Sequence, residues 1–126
     1  MFRKSTDIKP TVFSDCHGGK GDVIAHEMFN RGEIGSNFQF FQDTFVPVGS
    51  SIGLHRHVDN AEVYYMLQGE GDMYIDGECF KMRPGDISVV ESGHTHKLIN
   101  TGDTPIRIIV VEAGLAVEAE NIEGIF

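Results

Sequence analysis

The chain has 126 residues, with hydrophobic residues at 40% and charged residues at 23%, the balance of one soluble globular domain able to bury a core without staples. The formal net charge is −9 and no Lys/Arg cluster occurs, which argues against nucleic acid or an anionic membrane as partner. No run reaches transmembrane length, Met1 to Asp7 lacks the apolar stretch of a secretory signal, and Cys16 and Cys79 match no metal or redox spacing, so a cytoplasmic chain with two reduced thiols is expected.

Residues 1–36 are the least patterned. They are expected to form an N-terminal extension, with Val23 to Phe29 as an extra strand, packing on the main fold or on a partner subunit. Gly18-Gly19-Lys20-Gly21 lacks the spacing of a phosphate loop and reads as a plain loop. His17 and His26 have no partner in the sequence and read as surface or core residues.

From residue 37 onward, turn signals at Pro47, Gly49, Gly53, Gly69, Gly71, Asp76-Gly77, Pro84-Gly85, Ser92-Gly93 and Asn100 to Asp103 divide the chain. The β-branched and aromatic segments between them predict strands over 37–46, 51–57, 62–68, 72–76, 78–83, 87–91, 95–100 and 105–112. Short strands at this spacing predict an all-β sandwich or barrel over 37–114. Asp76-Gly77 suits a two-residue type I′ turn, which predicts that Met73-Tyr74-Ile75 pairs antiparallel with Cys79-Phe80-Lys81. Residues 115–126 mix apolar and acidic side chains and are expected to pack as a tail on the barrel or a second subunit.

Two runs concentrate the chemistry. His55 and His57 are two apart, so on a strand both imidazoles point to one face and Arg56 to the other. After a short turn, Glu62, Tyr64 and Met66 share a face of the next strand. In the second run His96, Leu98 and Asn100 share a face, and spacing alone does not choose between His94 and His96 as the inward histidine. Arg107 is expected to face outward, and Phe40, Tyr64 and Met66 to be core or cavity lining.

Gly49-x5-His55-x-His57-x4-Glu62-x6-Gly69 and Gly85-x5-Glu91-x-Gly93-x2-His96-x3-Asn100 resemble the two motifs of the cupin superfamily, with Glu91 where the family usually has proline. The 15 residues between them, Glu70 to Pro84, match the short gap of small single-domain cupins of the conserved-barrel type, and the resemblance covers about residues 38 to 112. It implies a double-stranded β-helix, the cupin jelly-roll barrel. It also implies that His55, His57, Glu62 and His96 ligate a divalent transition metal, with Mn, Fe, Zn and Ni all compatible with the mixed N/O set. His94, with Tyr64, is then a candidate to handle protons beside the metal.

Three neutral imidazoles and one carboxylate leave a divalent ion with a charge of +1 and open positions. The expected function is a metal-dependent dioxygenase, isomerase, decarboxylase or lyase acting on a small anionic or oxygen-rich molecule. The alternative is a non-catalytic metal- or ligand-binding module. Unpaired edges in so small a barrel lead to the expectation of a homodimer, with residues 1–36 reaching across.

Overall fold

The computed structural model describes residues 1–30 and 32–115, and from residue 116 onward the expected tail lies outside the described residues. The chain forms β1 (Pro10–Ser14), β2 (Asp22–Asn30), β3 (Phe38–Val46), β4 (Ser51–Arg56), β5 (Asn60–Gln68), β6 (Gly71–Ile75), β7 (Glu78–Met82), β8 (Ile87–Val90), β9 (Thr95–Ile99) and β10 (Ile106–Gly114). Single 3-10 turns at Ser5–Asp7 and Cys16–Gly18 are the helical pieces among the described residues. One sheet runs β1-β2-β3-β10-β5-β8 and the other β4-β9-β6-β7. Every pairing is antiparallel. Each strand expected from residue 37 onward is present, and the two sheets face one another as the double-stranded β-helix barrel.

Period-two alternation decides what enters the core. Glu62, Tyr64 and Met66 of β5, His96 and Leu98 of β9, and Ile106, Ile108 and Val110 of β10 are all buried. The intervening Tyr65 and Leu67 are exposed. Position along the strand then decides depth. β5 and β9 start at the end that holds Glu62 and His96 and finish at the end that holds Met66 and Leu98. There Val46, Met66, Met73, Leu98, Ile106 and Ile108 are each 1% exposed or less. Burying such side chains stabilises by about 1.5–3 kcal/mol apiece. The barrel is thus packed solid with apolar side chains at one end and polar at the other.

The N-terminal segment joins the same sheet. The expected strand Val23 to Phe29 lies within β2, which pairs with β3, and β1 pairs with β2 in turn. The described part of residues 1–36 therefore packs on its own barrel. The Asp76-Gly77 hairpin has the expected register, with Met73 opposite Phe80 and Tyr74 opposite Cys79. Asp76 at φ 48° and Gly77 at φ 84° both take the positive φ that a type I′ turn needs.

Asn100 closes the apolar end. Only 4% exposed, it donates from Nδ2 to the carbonyls of Val46 and Thr104, each at 2.9 Å, and accepts the Gly102 N–H at 3.0 Å through Oδ1. The end of β3 and the β9–β10 loop therefore meet on one amide. Asn100→Ala should cost about 2–4 kcal/mol, because it removes three bonds and strands two carbonyls. The measurement is the urea midpoint at unchanged m-value. A loss below about 0.5 kcal/mol, the range of an ordinary surface substitution, would refute this role.

Candidate metal centre

The polar end of the barrel collects four donors from three strands and a strand end. His55 lies near the end of β4 and pairs directly with His96 of β9. His57 follows one residue after β4, where its N–H donates to the His94 carbonyl at 3.1 Å and its carbonyl accepts the Gly93 N–H at 2.7 Å. Those two bonds keep His57 facing inward beyond the strand. Glu62 reaches in from β5 of the opposite sheet. One donor atom from each of His55, His57, Glu62 and His96 lies within 4.8 Å of the others.

His96 stands at the middle of this cluster. Its Nε2 is 2.9 Å from His55 Nε2, 3.0 Å from His57 Nε2 and 3.1 Å from Glu62 Oε1. Outer partners set the tautomers of its neighbours. His55 Nδ1 donates to the Gly53 carbonyl at 2.7 Å. His57 Nδ1 donates to Asn60 Oδ1 at 2.7 Å, with Glu112 Oε1 at 3.3 Å. An imidazole protonated on Nδ1 presents a lone pair at Nε2. His96 Nε2 therefore faces three electron-rich atoms and can offer them at most one proton. His96 Nδ1 is buried with no hydrogen-bond partner among the described residues, so only the cluster sets its tautomer.

Such crowding calls for positive charge at the centre. Donors about 2.1 Å from a common ion and at right angles to one another stand about 3.0 Å apart. The three contacts of His96 Nε2 have that spacing, and the residues present fit a divalent metal. The electrostatics agree. Burial opposes ionisation of Glu62, yet the protonatable Nε2 atoms of His55, His57 and His96 around it outweigh burial and hold the carboxyl far below the usual range. The bond to Glu62 raises His57 above the ordinary imidazole value, whereas burial lowers His96.

Two residues join the site without a signal in the motifs. His17 was expected at the surface or in the core, but its ring stacks on that of His55, with centroids 3.8 Å apart and planes at 13°. The cause is a close backbone approach. A Cβ on Gly53 would stand 2.2 Å from the His17 carbonyl oxygen and 2.4 Å from Gly19 N. The Cys16–Gly18 turn therefore lies directly on β4, two residues before His55, and His17 takes a left-handed φ of 52° to fit. Glu112 is the second. It pairs in register with Glu62 and follows Ile106, Ile108 and Val110 on the inward face of β10, so the alternation of that strand was a usable signal.

The remaining candidates fall in different places. Tyr64 is buried, and its ring lies 4.8 Å from that of His96 at 29°. Burial first, and the Glu62 charge second, push its hydroxyl well above the ordinary tyrosine range, so it serves as a hydrogen-bond donor and not as a base. The donor cluster does not include His94, the residue expected to handle protons beside the metal. β9 begins only at Thr95, and Asp76 of the hairpin holds His94 Nδ1 at 2.5 Å on the exposed side. Phe40 lines the cavity beside Glu62, and Met66 belongs to the apolar end. Arg107 faces outward as expected, with a two-point ion pair to Asp43 at 2.9 and 2.6 Å. No helix among the described residues is long and apolar enough to cross a membrane.

Comparison with known proteins places this geometry in a lineage. The cupin domain pattern matches residues 43–112. An oxalate-binding protein of Thermotoga maritima is 33% identical over 111 residues, which cover 88% of this chain and 92% of that one. An uncharacterized protein of Methanocaldococcus jannaschii is 38% identical over 102 residues, covering 81% of this chain and 77% of that one. A crystal structure from Thermotoga maritima, described as a predicted oxalate decarboxylase, superposes with a TM-score of 0.86 at 33% identity, over 91% of this chain and 100% of that one. With the barrel, the two motifs and the histidine–glutamate cluster all in place, the chain belongs to the cupin family.

Proposed function

We propose that His55, His57, Glu62 and His96 hold a divalent transition metal (Mn, Fe, Zn or Ni), and that the chain is a metal-dependent cupin for small chelating acids of the oxalate type. The observation that carries this reading is the convergence of three imidazole Nε2 atoms and one carboxylate oxygen, with two tautomers set from outside. When bound, a divalent ion supplies Lewis acidity and a two-point template for an anion. Similarity to the oxalate-binding protein of Thermotoga maritima supports oxalate as a ligand class.

The chain's own residues do the positioning. Glu62 offsets one unit of charge and leaves the centre cationic. Tyr64, held protonated, donates a hydrogen bond toward the anionic side of the site. His17 and Phe40 line the space beside the donors, so the wall facing a ligand there carries no negative charge from these two residues. Dioxygenase, isomerase, decarboxylase and lyase chemistry all suit such a centre. A non-catalytic binding role is the second reading, favoured by one feature: burial and the Glu62 charge hold Tyr64 protonated, so it is not available as a base. Turnover of oxalate, oxo acids and hydroxy acids under air and under nitrogen separates these roles. Oxygen-dependent turnover supports a dioxygenase, anaerobic turnover supports the other enzymes, and binding without turnover supports the module.

We also place the protein in the cytoplasm as a homodimer with a small-molecule ligand. Tyr65, Leu67, Ile87 and Val89 of the adjacent strands β5 and β8 leave apolar side chains 40–63% exposed on the outer face of the larger sheet. A patch of this kind marks an association surface. Light scattering at micromolar concentration should report twice the chain mass, and a monomer would refute the assembly.

Replacing any of His55, His57, Glu62 or His96 by Ala should weaken metal binding more than about 100-fold, and Glu112→Gln by about 10–100-fold through His57. His94→Ala should leave metal content unchanged. Chelator competition and elemental analysis measure both, and metal retained in His96→Ala but lost in His94→Ala would overturn the assignment.

The pH dependence follows from the same groups. Glu62 raises His57 above its ordinary value of 6.5 in the metal-free protein. That pair stabilises the metal-free fold fully below the unfolded-state value and ceases to do so as pH rises through the raised folded value. Metal needs the neutral imidazole, so its affinity should fall as pH falls through that window. Melting temperatures with metal and with chelator should diverge with rising pH between about 6 and 8. A metal-induced gain independent of pH would show that His57 is not a ligand.

A further inference from the structure

The cavity beside the cluster has a volume of about 550 Å³, within the range of about 300–1,000 Å³ that accommodates drug-sized molecules. An oxalate dianion, two carbons and four oxygens, fills little of it. The cavity opens past β1, where Val12 and Phe13 are exposed, and deepens into the barrel to Val23, Ala25, Ile52 and Val110, each 4% exposed or less. Among the described residues no Lys or Arg lines it, and its carboxylates there are Asp15 and Glu62. A second ligand carboxylate placed there would be a buried charge without a partner, which is costly. An apolar body would meet no such cost. One polar atom also awaits a contact: Thr44 Oγ1, on the same wall, is buried and has no hydrogen-bond partner among the described residues.

The space on the other side of the cluster is different. It measures about 450 Å³ and is lined by Arg56, Asn60 and Glu112 together with His55 and His57. His17, Phe40 and Glu62 wall both spaces. The cluster thus stands where a polar mouth meets an apolar chamber. We propose that the ligand is a 2-oxo or 2-hydroxy acid carrying an apolar substituent, with its chelating head at the histidines and its body in the barrel chamber. This inference rests on the metal and chelating-acid reading above and adds the shape and polarity of the rest of the molecule.

The test is calorimetry on metal-loaded protein with oxalate, pyruvate, 2-oxobutanoate, 2-oxopentanoate and 2-oxohexanoate. Each added methylene buried in the chamber should tighten binding about fourfold, the equivalent of about 0.8 kcal/mol. Ala25→Leu and Val110→Phe should fill the chamber, flatten the series and leave oxalate affinity within about twofold, below the effect of a single buried methylene. A wild-type series that is flat or weakens with length, alongside intact oxalate binding, overturns the inference and leaves the metal and acid reading standing. If the metal-loaded protein binds neither oxalate nor any oxo acid, that reading fails and this inference falls with it. The wild-type series decides even where a variant fails to fold.

Discussion

Glu62 is a carboxylate 5% exposed at the end of a β-barrel, and the structure is organised around keeping it ionised. An isolated carboxylate so placed would take up a proton. Three imidazoles around it prevent this, and the orientation of two of them, His55 and His57, depends on acceptors outside the cluster, at Gly53, Asn60 and Glu112. The demand for charge balance therefore passes outward in steps, from Glu62 to the histidines and from them to backbone and loop groups. Removing any one of them leaves another buried polar atom without its partner.

The placement of this cluster follows from strand geometry more than from loop shape. Parity along β5 and β9 puts Glu62 and His96 inside, and their position at the start of those strands puts them at the open end. On β5 Tyr64 lies one inward step deeper than Glu62 and Met66 one step beyond that; on β9 Leu98 lies one step beyond His96. Met66 and Leu98 belong to the apolar end. The same ladders that pack the core thus hold the donors, so the site inherits the core's rigidity. His57 is the exception, since it lies past β4 and is held by two backbone bonds to Gly93 and His94. In this way Gly93 and His94 contribute to the site through their main chain, while the His94 ring turns away to Asp76.

This division explains what could be read in advance. Residues 37–114 were legible because turn residues and period-two runs encode strands locally. Parity put His55, His57 and Glu62 on shared strand faces, and the resemblance to the two cupin motifs chose His96 over His94 as the fourth donor. The hairpin at Asp76-Gly77 was legible because its two residues suit one turn type. His17 was not legible, because nothing near it in sequence distinguishes it from an exposed loop residue. Its position depends on contact between Gly19 and Gly53, which are 34 residues apart in the chain. Spacing left His94 and His96 open for a related reason: parity arguments hold only within a strand, and β9 starts at Thr95, one residue after His94. Glu112 could have been found by extending the alternation of β10 to its end.

The seat of His17 shows how the N-terminal segment contributes to the site. Gly53 serves twice, since its carbonyl accepts the His55 Nδ1–H and its missing Cβ admits the backbone of the turn. Any side chain there would push the turn off β4 and free the face of His55 that His17 now covers. The left-handed φ at Asp15 and His17 costs free energy, of order 1–3 kcal/mol at each residue, that a surface loop has no need to carry. That cost is sustained by the packing of the turn on β4 and by the hydrogen bond from Gly21 N–H to Asp15 Oδ1. The result is a fixed wall across the mouth, made by a segment whose own sequence holds no metal motif. Burial lowers the His17 imidazole below its ordinary value, so the wall it forms is neutral. A neutral wall leaves the central charge undiminished toward an incoming anion, whereas a carboxylate in its place would have cancelled it.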